Sequence, residues 1–427
     1  TFGLLAHRYA VGNLERINVV DFGGNRTLIA GDFMNIGNET RLLHQYKLGN
    51  QNSTVLTGFR LYRGSTTARQ GHANNDSNPN FNFLNPDDLE NSDYTFTNKN
   101  FSYFVENIFK ISKKISVTPG VRFESIGTYA QGYFNQQVFD RAGNLIVQNR
   151  KDESLGRTRN FVIAGIGANY YATERITFYA NISQNYRAIN FSDIRIVNPN
   201  FRVDPNIKDE TGHTADVGVK AMKPNVYSVE LTAFMVKYND KIGQILRADQ
   251  APLFIDYRFR GNISDARNIG LEFFGELNVL PLFINTSEDI RLSFFVNSSI
   301  VDANYINTQD NSIKDKKVEM VPPLMLRSGS EFRYKMFRAA FQFSHVSQHY
   351  TDATNAILTS TAVEGIIPTY QVADLSFSYQ YKRYSIEFNI NNLFNQMYFT
   401  RRAEGYPGPG IIPSDGRGFF VSLSGRF

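Results

Sequence analysis

From about Arg41 to Phe427 the chain repeats one unit. Two stretches alternate apolar with polar residues and meet at a turn of a few residues; a connection of roughly 20–30 residues then leads to the next pair. Successive side chains of a strand point to opposite faces, so each stretch is a strand with one apolar and one polar face. In the last ten residues Phe419, Val421, Leu423, Gly425 and Phe427 share one parity, and Phe420, Ser422, Ser424 and Arg426 share the other. Val117, Val121 and Phe123 oppose Arg122 and Glu124; Ile176, Phe178, Ala180 and Ile182 oppose Thr177, Asn181, Ser183, Asn185 and Arg187. Leu375, Phe377 and Tyr379 oppose Asp374, Ser376, Ser378 and Gln380. Short turns fall at Gly49-Asn50-Gln51-Asn52, Ser112-Lys113-Lys114, Ala172-Thr173-Glu174, Lys223-Pro224, Tyr334-Lys335 and Tyr381-Lys382. The long connections are 64–95, 128–159, 188–211, 239–262, 304–321, 349–368 and 392–417.

About fifteen such strands can be counted, most near or above the roughly 9–11 residues that cross a bilayer at barrel tilt. Long structureless loops argue against an ordinary compact domain, and their confinement to one end argues against a soluble sandwich. Short turns at one end and long loops at the other are what an outer-membrane barrel shows, with the long loops outside the cell. The fold class read here is all-β: a transmembrane antiparallel β-barrel, with residues 41–427 as its wall. Residues 1–40 are a poorly patterned lead-in, a loop or the remnant of a barrel strand. The apolar parity must then meet lipid, because a charge at mid-bilayer costs about 2–4 kcal/mol. Arg122, Glu124, Asp216, Lys220, Asp374 and Glu387 therefore line a wet lumen, and Tyr170, Tyr171, Tyr379 and Tyr381 suit interfacial girdles.

Composition removes other classes. There is no Cys, hence no disulfide or thiolate chemistry, and the net charge of +5 comes without a basic run that would bind nucleic acid. Aromatic residues make up 14% of the chain, 36 of them Phe, which suits a lipid-facing wall better than a soluble α/β enzyme. His345 and His349 stand four apart at a strand end without a Cys or acidic cluster, so no metal site is assigned. Gly165-Ile166-Gly167 lacks the third glycine of a nucleotide loop, and no Gly-x-Ser-x-Gly occurs. No catalytic residue and no cofactor is expected.

Several stretches resemble the barrel portion of TonB-dependent outer-membrane receptors, in the family's order. Val117-Thr118-Pro119-Gly120-Val121-Arg122-Phe123-Glu124 is similar to a "tPGlRyE" strand, and Ser183-Gln184-Asn185-Tyr186-Arg187-Ala188 to the "sqgfRa" strand end. Ala266-Arg267-Asn268-Ile269-Gly270-Leu271-Glu272 is similar to the "GlE" strand, and Asn391-Asn392-Leu393-Phe394-Asn395-Gln396-Met397-Tyr398 to the "NLFdkkY" element. A terminal amphipathic strand closing on Phe427 completes the series. Thr400 to Gly410, through Asp415-Gly416-Arg417, resembles the final loop of ferric dicitrate receptor homologues.

The resemblance implies a barrel of about 22 strands, a plug domain that this chain does not contain, and a Gram-negative outer-membrane location. It implies energy-coupled import of a ferric chelate such as ferric citrate. The partners it implies are the chelate, the TonB complex acting through the plug, and outer-membrane lipid and lipopolysaccharide; nucleic acid is not among them. With about fifteen strands in view, the rest of the wall is expected from a missing part of the chain or from another chain. Arginine presents planar donors to carboxylates. Arg63 and Arg69 at the first long loop (with Arg60 nearby), Arg187 at a strand end, and Arg401 and Arg402 at the last loop are therefore the candidate binding residues. The alternative to a receptor is a passive porin of about 16 strands.

Overall fold

The computed structural model describes residues 4–12, 25–74, 81–139, 145–190, 193, 201–247, 257–284, 289–308, 310–359, 364–403 and 410–426. The strands are β1 (Leu4–Gly12), β2 (Arg26–Leu48), β3 (Gln51–Ala73), β4 (Ser92–Lys110), β5 (Ile115–Phe139), β6 (Leu145–Tyr171) and β7 (Ile176–Arg187). After the short β8 (Phe201–Val203) come β9 (Glu210–Lys223), β10 (Tyr227–Arg247), β11 (Tyr257–Asn278), β12 (Ile290–Ile306), β13 (Leu324–Tyr334) and β14 (Phe337–Val346). The pair β15 (His349–Tyr350) and β16 (Ile366–Ile367) precedes β17 (Tyr370–Tyr381) and β18 (Tyr384–Asn391); the pair β19 (Phe399–Ala403) and β20 (Gly410–Pro413) precedes β21 (Gly418–Gly425).

Sixteen strands form one antiparallel meander in which each pairs with the next long strand along the chain. The short β8 joins the sheet in parallel beside β11. Among the described residues β1 pairs only with β2, and β21 only with β18, so the sheet has two edges.

Local chemistry explains the turns. The two-residue link Gly49-Asn50 uses Gly49 at φ 59°, a conformation that costs glycine nothing and closes a tight hairpin. Asn225, Lys335 and Lys382 adopt positive φ at three other short turns. Pro119 stays inside β5. It faces Ile166 on β6, while the ladder to β4 skips Thr118 and Pro119, the place where the missing N–H would otherwise break a bond.

Strand bounds differ from the pattern-based expectation in one consistent way. β2 begins at Arg26 instead of near Arg41, and β1 occupies part of the lead-in. Much of what reads as loop is strand as well: β3 runs to Ala73, β5 and β6 run together until Phe139 faces Leu145, and β10 and β11 pair as far as Arg247 and Tyr257. The reason is physical. Beyond the bilayer both faces of a hairpin meet water, so the apolar–polar alternation disappears while the backbone ladder continues.

Parity behaves as the bilayer requires. Val121, Phe123, Phe178, Ile182, Val217 and Ile386 are exposed on the outer face, and so are Tyr170, Tyr379 and Tyr381 near the short turns; Tyr171 is exposed too, but pairs with Thr177 and has the inner parity. On the inner face Glu124 is buried, gripped by Arg122 and by Asn100 Nδ2 at 2.6 Å. If short turns and long loops lie on opposite sides of the membrane, cysteines placed at Lys113 and at Asp315 should label from opposite sides. Labelling of both by one impermeant reagent in intact cells would reject the topology.

A candidate vestibule at the long-loop end

The inner face at the long-loop end carries the largest buried apolar cluster among the described residues. Ala266, Ala303 and Tyr305 project from β11 and β12, and Ile313, Val318 and Ala353 from the following loops cover them. This dry cluster holds the loops in place, since burying such side chains stabilises by roughly 25 cal/mol per Å². Tyr305 donates to Glu319, whose other oxygen lies 3.1 Å from Lys241 Nζ, so the loop charge is fixed as well. Further out, the Ser312 hydroxyl and N–H hold the Asp310 carboxyl below the usual carboxylate range.

Beside this cluster lies a cavity of about 370 Å³. Arg401 and Arg402 reach it from β19, Arg260 from β11, and Asp193, Glu319, Asp352 and Glu364 from three loops. All four carboxylates have partners. Asp193 accepts from Arg187 Nη2 at 2.9 and 3.0 Å. Glu319 is held by Lys241 and Tyr305, and Asp352 accepts from the Thr354 N–H at 2.8 Å and the Ala356 N–H at 3.1 Å. Arg402 Nη2 donates to Ile366 O at 3.0 Å, and its guanidinium lies 5.4 Å from the Phe399 ring centroid. Arg401 is exposed. A site of this kind, with anchored carboxylates and arginines turned to the cavity, offers planar donors to an anionic solute.

The candidate arginines do not gather as one group. Arg401 and Arg402 share the cavity, and Arg187 stands behind it, bonded to both Asp193 and Glu210. Arg63 and Arg69 are elsewhere. Their partners across the ladder are Ile36 and Ala30, on the same parity as exposed Met34, Ile36 and Leu61, so both leave the sheet on its outer face. Arg69 there lies 3.5 Å from Asp32 and 5.6 Å from the Phe83 ring. Arg60 has the opposite parity and turns inward with Ser102 and Glu124. Of the last-loop stretch, residues 404–409 lie outside the described residues, as does Phe427. His345 and His349 part company: one meets Gln371 Nε2 at 3.2 Å, and the other is buried against Ser347 O at 3.1 Å.

Arg260, Asp193, Glu319, Asp352 and Glu364 were not marked by any sequence pattern, because they come from segments far apart in the chain. Next to them a second inward lock joins β6 to the loop after β7. Arg159 Nε donates to Asp209 Oδ2 at 2.8 Å, and the Ile189 N–H donates to Asp209 Oδ1 at 2.8 Å. Tyr186 donates to the same carboxylate while stacking on Phe161 at 3.5 Å between centroids.

Residues 5–393 match the family described as TonB dependent receptor-like, beta-barrel. No curated protein matches the chain in sequence. Among solved structures it is similar to the ferric citrate transporter FecA in the unliganded form, with a TM-score of 0.72 and 17% identity over 100% of this chain and 58% of that one. It is similar to the copper transporter OprC, with a TM-score of 0.69 and 15% identity over 100% of this chain and 62% of that one. It also resembles the closed form of the ferric-catecholate import receptor Fiu from K12 E. coli, with a TM-score of 0.68 and 13% identity over 99% of this chain and 60% of that one. The chain thus spans about three fifths of the length of these proteins. At such identities the likeness concerns the fold.

Proposed function

The chain belongs to the TonB-dependent receptor-like β-barrel family of the Gram-negative outer membrane, and from that premise we propose that it forms the wall and ligand vestibule of a receptor importing an anionic ferric chelate of the ferric citrate type. The observation that carries this reading is the cavity where Arg401, Arg402 and Arg260 meet, with Arg401 exposed, while Asp193, Glu319 and Asp352 are held by residues outside that trio. An anion entering there finds planar donors and little competition from the bound carboxylates. The ferric citrate transporter FecA has a similar fold and agrees with that choice, although the copper transporter OprC and the ferric-catecholate receptor Fiu carry other cargo.

In this mechanism the chelate is captured at the long-loop end, and its negative charge is matched by guanidinium donors in a partly enclosed space where each contact is worth more than in open water. Passage inward then requires a plug to rearrange under energy from TonB. None of the described residues forms that plug. Sixteen strands alone would also suit a porin, but the family match over residues 5–393 favours the receptor. The family is one of receptors and transporters, not of enzymes.

The test is equilibrium binding to the receptor purified from outer membranes, with ferric citrate and a neutral ferric hydroxamate compared at one ionic strength. Tighter binding of the citrate complex, weakening as salt screens the charges, is the expected result. Preference for the neutral chelate would reject the anionic class.

A further inference from the structure

Three large apolar side chains stand exposed around the vestibule, on segments outside the membrane wall. Met320, Leu358 and Ile411 are each at least half exposed. Met320 lies in the connection between β12 and β13, Leu358 between β15 and β16, and Ile411 on β20 of the small β19–β20 sheet. Lipid does not account for their exposure, as it does for the outward residues of the long strands. Single apolar residues on a surface are ordinary, whereas several that converge mark a binding surface.

These three converge on the cavity that holds Arg402. Met320 lines it together with Arg401 and Arg402. Ile411 is the direct partner of Arg402 across the β19–β20 ladder, and direct partners project from the same face. Leu358 faces Gly365 across an isolated antiparallel bridge. A Cβ on Gly365 would stand 3.1 Å from Arg402 Cζ and Nη2, so Leu358 leaves the bridge on the side where the guanidinium lies. Gly365, at φ 149°, has to be glycine here, because the same Cβ would also meet Ile357 O at 2.7 Å.

Backbone contacts fix the apolar residues to the same loops that carry the charges. Met320 sits at φ 59°, a conformation that residues with a side chain seldom adopt, and its N–H donates to Tyr350 O at 2.8 Å. The Ile366 N–H donates to Ile357 O at 3.1 Å. The hydroxyl of Thr351, itself on the cavity, accepts from the Gly365 N–H at 2.9 Å and lies 2.8 Å from Gly365 O. Walls held in this way spare a ligand the cost of ordering them.

We propose that the cargo is an amphiphilic chelate, with an iron-binding carboxylate head at Arg401, Arg402 and Arg260 and an aliphatic chain lying over Met320, Leu358 and Ile411. Ligand sites combine an apolar wall with a few polar groups that fix orientation, and here the two adjoin. The occupant is the tail of a small ligand, because three side chains beside a cavity of about 370 Å³ make too small a surface for a stable protein interface. This inference rests on the reading of the cavity as the cargo site, and adds to it a chain that citrate itself lacks.

The experiment uses the receptor purified from outer membranes into nanodiscs, with uptake by empty nanodiscs subtracted. The probes are the ferric complexes of two citrate monoamides, one carrying a methyl group and the other an octyl chain. Each methylene fully removed from water raises affinity about fourfold, so the octyl complex should bind at least about tenfold more tightly than the methyl one. Leu358→Ser with Ile411→Ser should bring the two affinities to within about twofold, because serine offers the chain no apolar surface. Leu358→Met keeps an apolar side chain and should keep the preference. Arg401→Ala should weaken both complexes by the same factor, and octanoate without iron should displace neither. Equal affinities for the two complexes, both weakened by Arg401→Ala, would overturn the tail site and leave the anionic cargo intact. Affinities untouched by Arg401→Ala with Arg402→Ala would overturn both readings. An octyl preference that persists in the serine double variant would reject these residues, and displacement by octanoate would reject the chelate as the occupant. Heat-modifiable migration of each variant checks that the wall has folded.

Discussion

Replacing Arg401 and Arg402 together by Ala should weaken ferric citrate binding about tenfold to a hundredfold. A hydrogen bond to a charged group contributes about 1.5–3 kcal/mol, and each 1.4 kcal/mol or so is a factor of ten in affinity. The two arginines are expected to differ. Arg401 is exposed, so its removal should act on the ligand alone. Arg402 also ties β19 to Ile366 O at 3.0 Å and packs on Phe399, so its removal should loosen the loop as well as the site. Lysine at either position should restore only part of the loss, because the planar fork is gone. Isothermal titration of the double variant decides the matter: unchanged citrate affinity would remove both residues from the site. A variant that loses citrate and a neutral chelate equally would point to loop damage instead of lost charge recognition.

The second large effect is structural. Arg159 is buried at 9% exposure, pairs with Asp209 at 2.8 Å and donates to Thr128 Oγ1 at 3.1 Å. Arg159→Ala would leave Asp209 facing a largely dry interior without its cation, a loss of about 3–5 kcal/mol. The damage should be local. Asp209 anchors the Ile189 N–H, and Ile189 packs with Ile207 and Ile242, so the segment between β7 and β9 should detach while the wall survives. Protease cleavage within 188–209 is the readout, and protection there should fall by roughly two to four orders of magnitude at such a cost. Adding Asp209→Leu to Arg159→Met should recover much of the protection, because no unpaired charge remains. Equal protection in Arg159→Ala and the unaltered protein would show that the pair does not hold the segment. Detachment should also weaken ligand binding, since Asp193 at the cavity rim rides on the same segment.

Much of the wall is legible in the residues themselves. A period of two needs only neighbouring side chains, so Val121 and Phe123 against Arg122 and Glu124 reveals a strand and its two faces without knowledge of its partners. Turn positions are equally local: Gly49 sits in its expected turn, and the turn expected at Tyr381-Lys382 falls one residue on, at Lys382-Arg383. Even the separation of Arg60 from Arg63 is a matter of parity. Their numbers differ by an odd step, three, and any strand through both must send them to opposite faces.

That strand's extent was the missing piece, because the apolar half of the pattern is imposed by lipid and ends where lipid ends. β3 continues to Ala73 on backbone hydrogen bonds alone, and those bonds have no signature in side-chain identity. The vestibule is further still from the sequence. Arg401 and Arg402, Arg260, Asp193 and Glu319 belong to separate hairpins, and only the folding of loops onto Ala303 and Tyr305 brings them to one cavity. Local periodicity therefore determined the wall and its polarity. The tertiary structure decided which charges meet, because that depends on contacts between segments whose spacing along the chain carries no regular repeat.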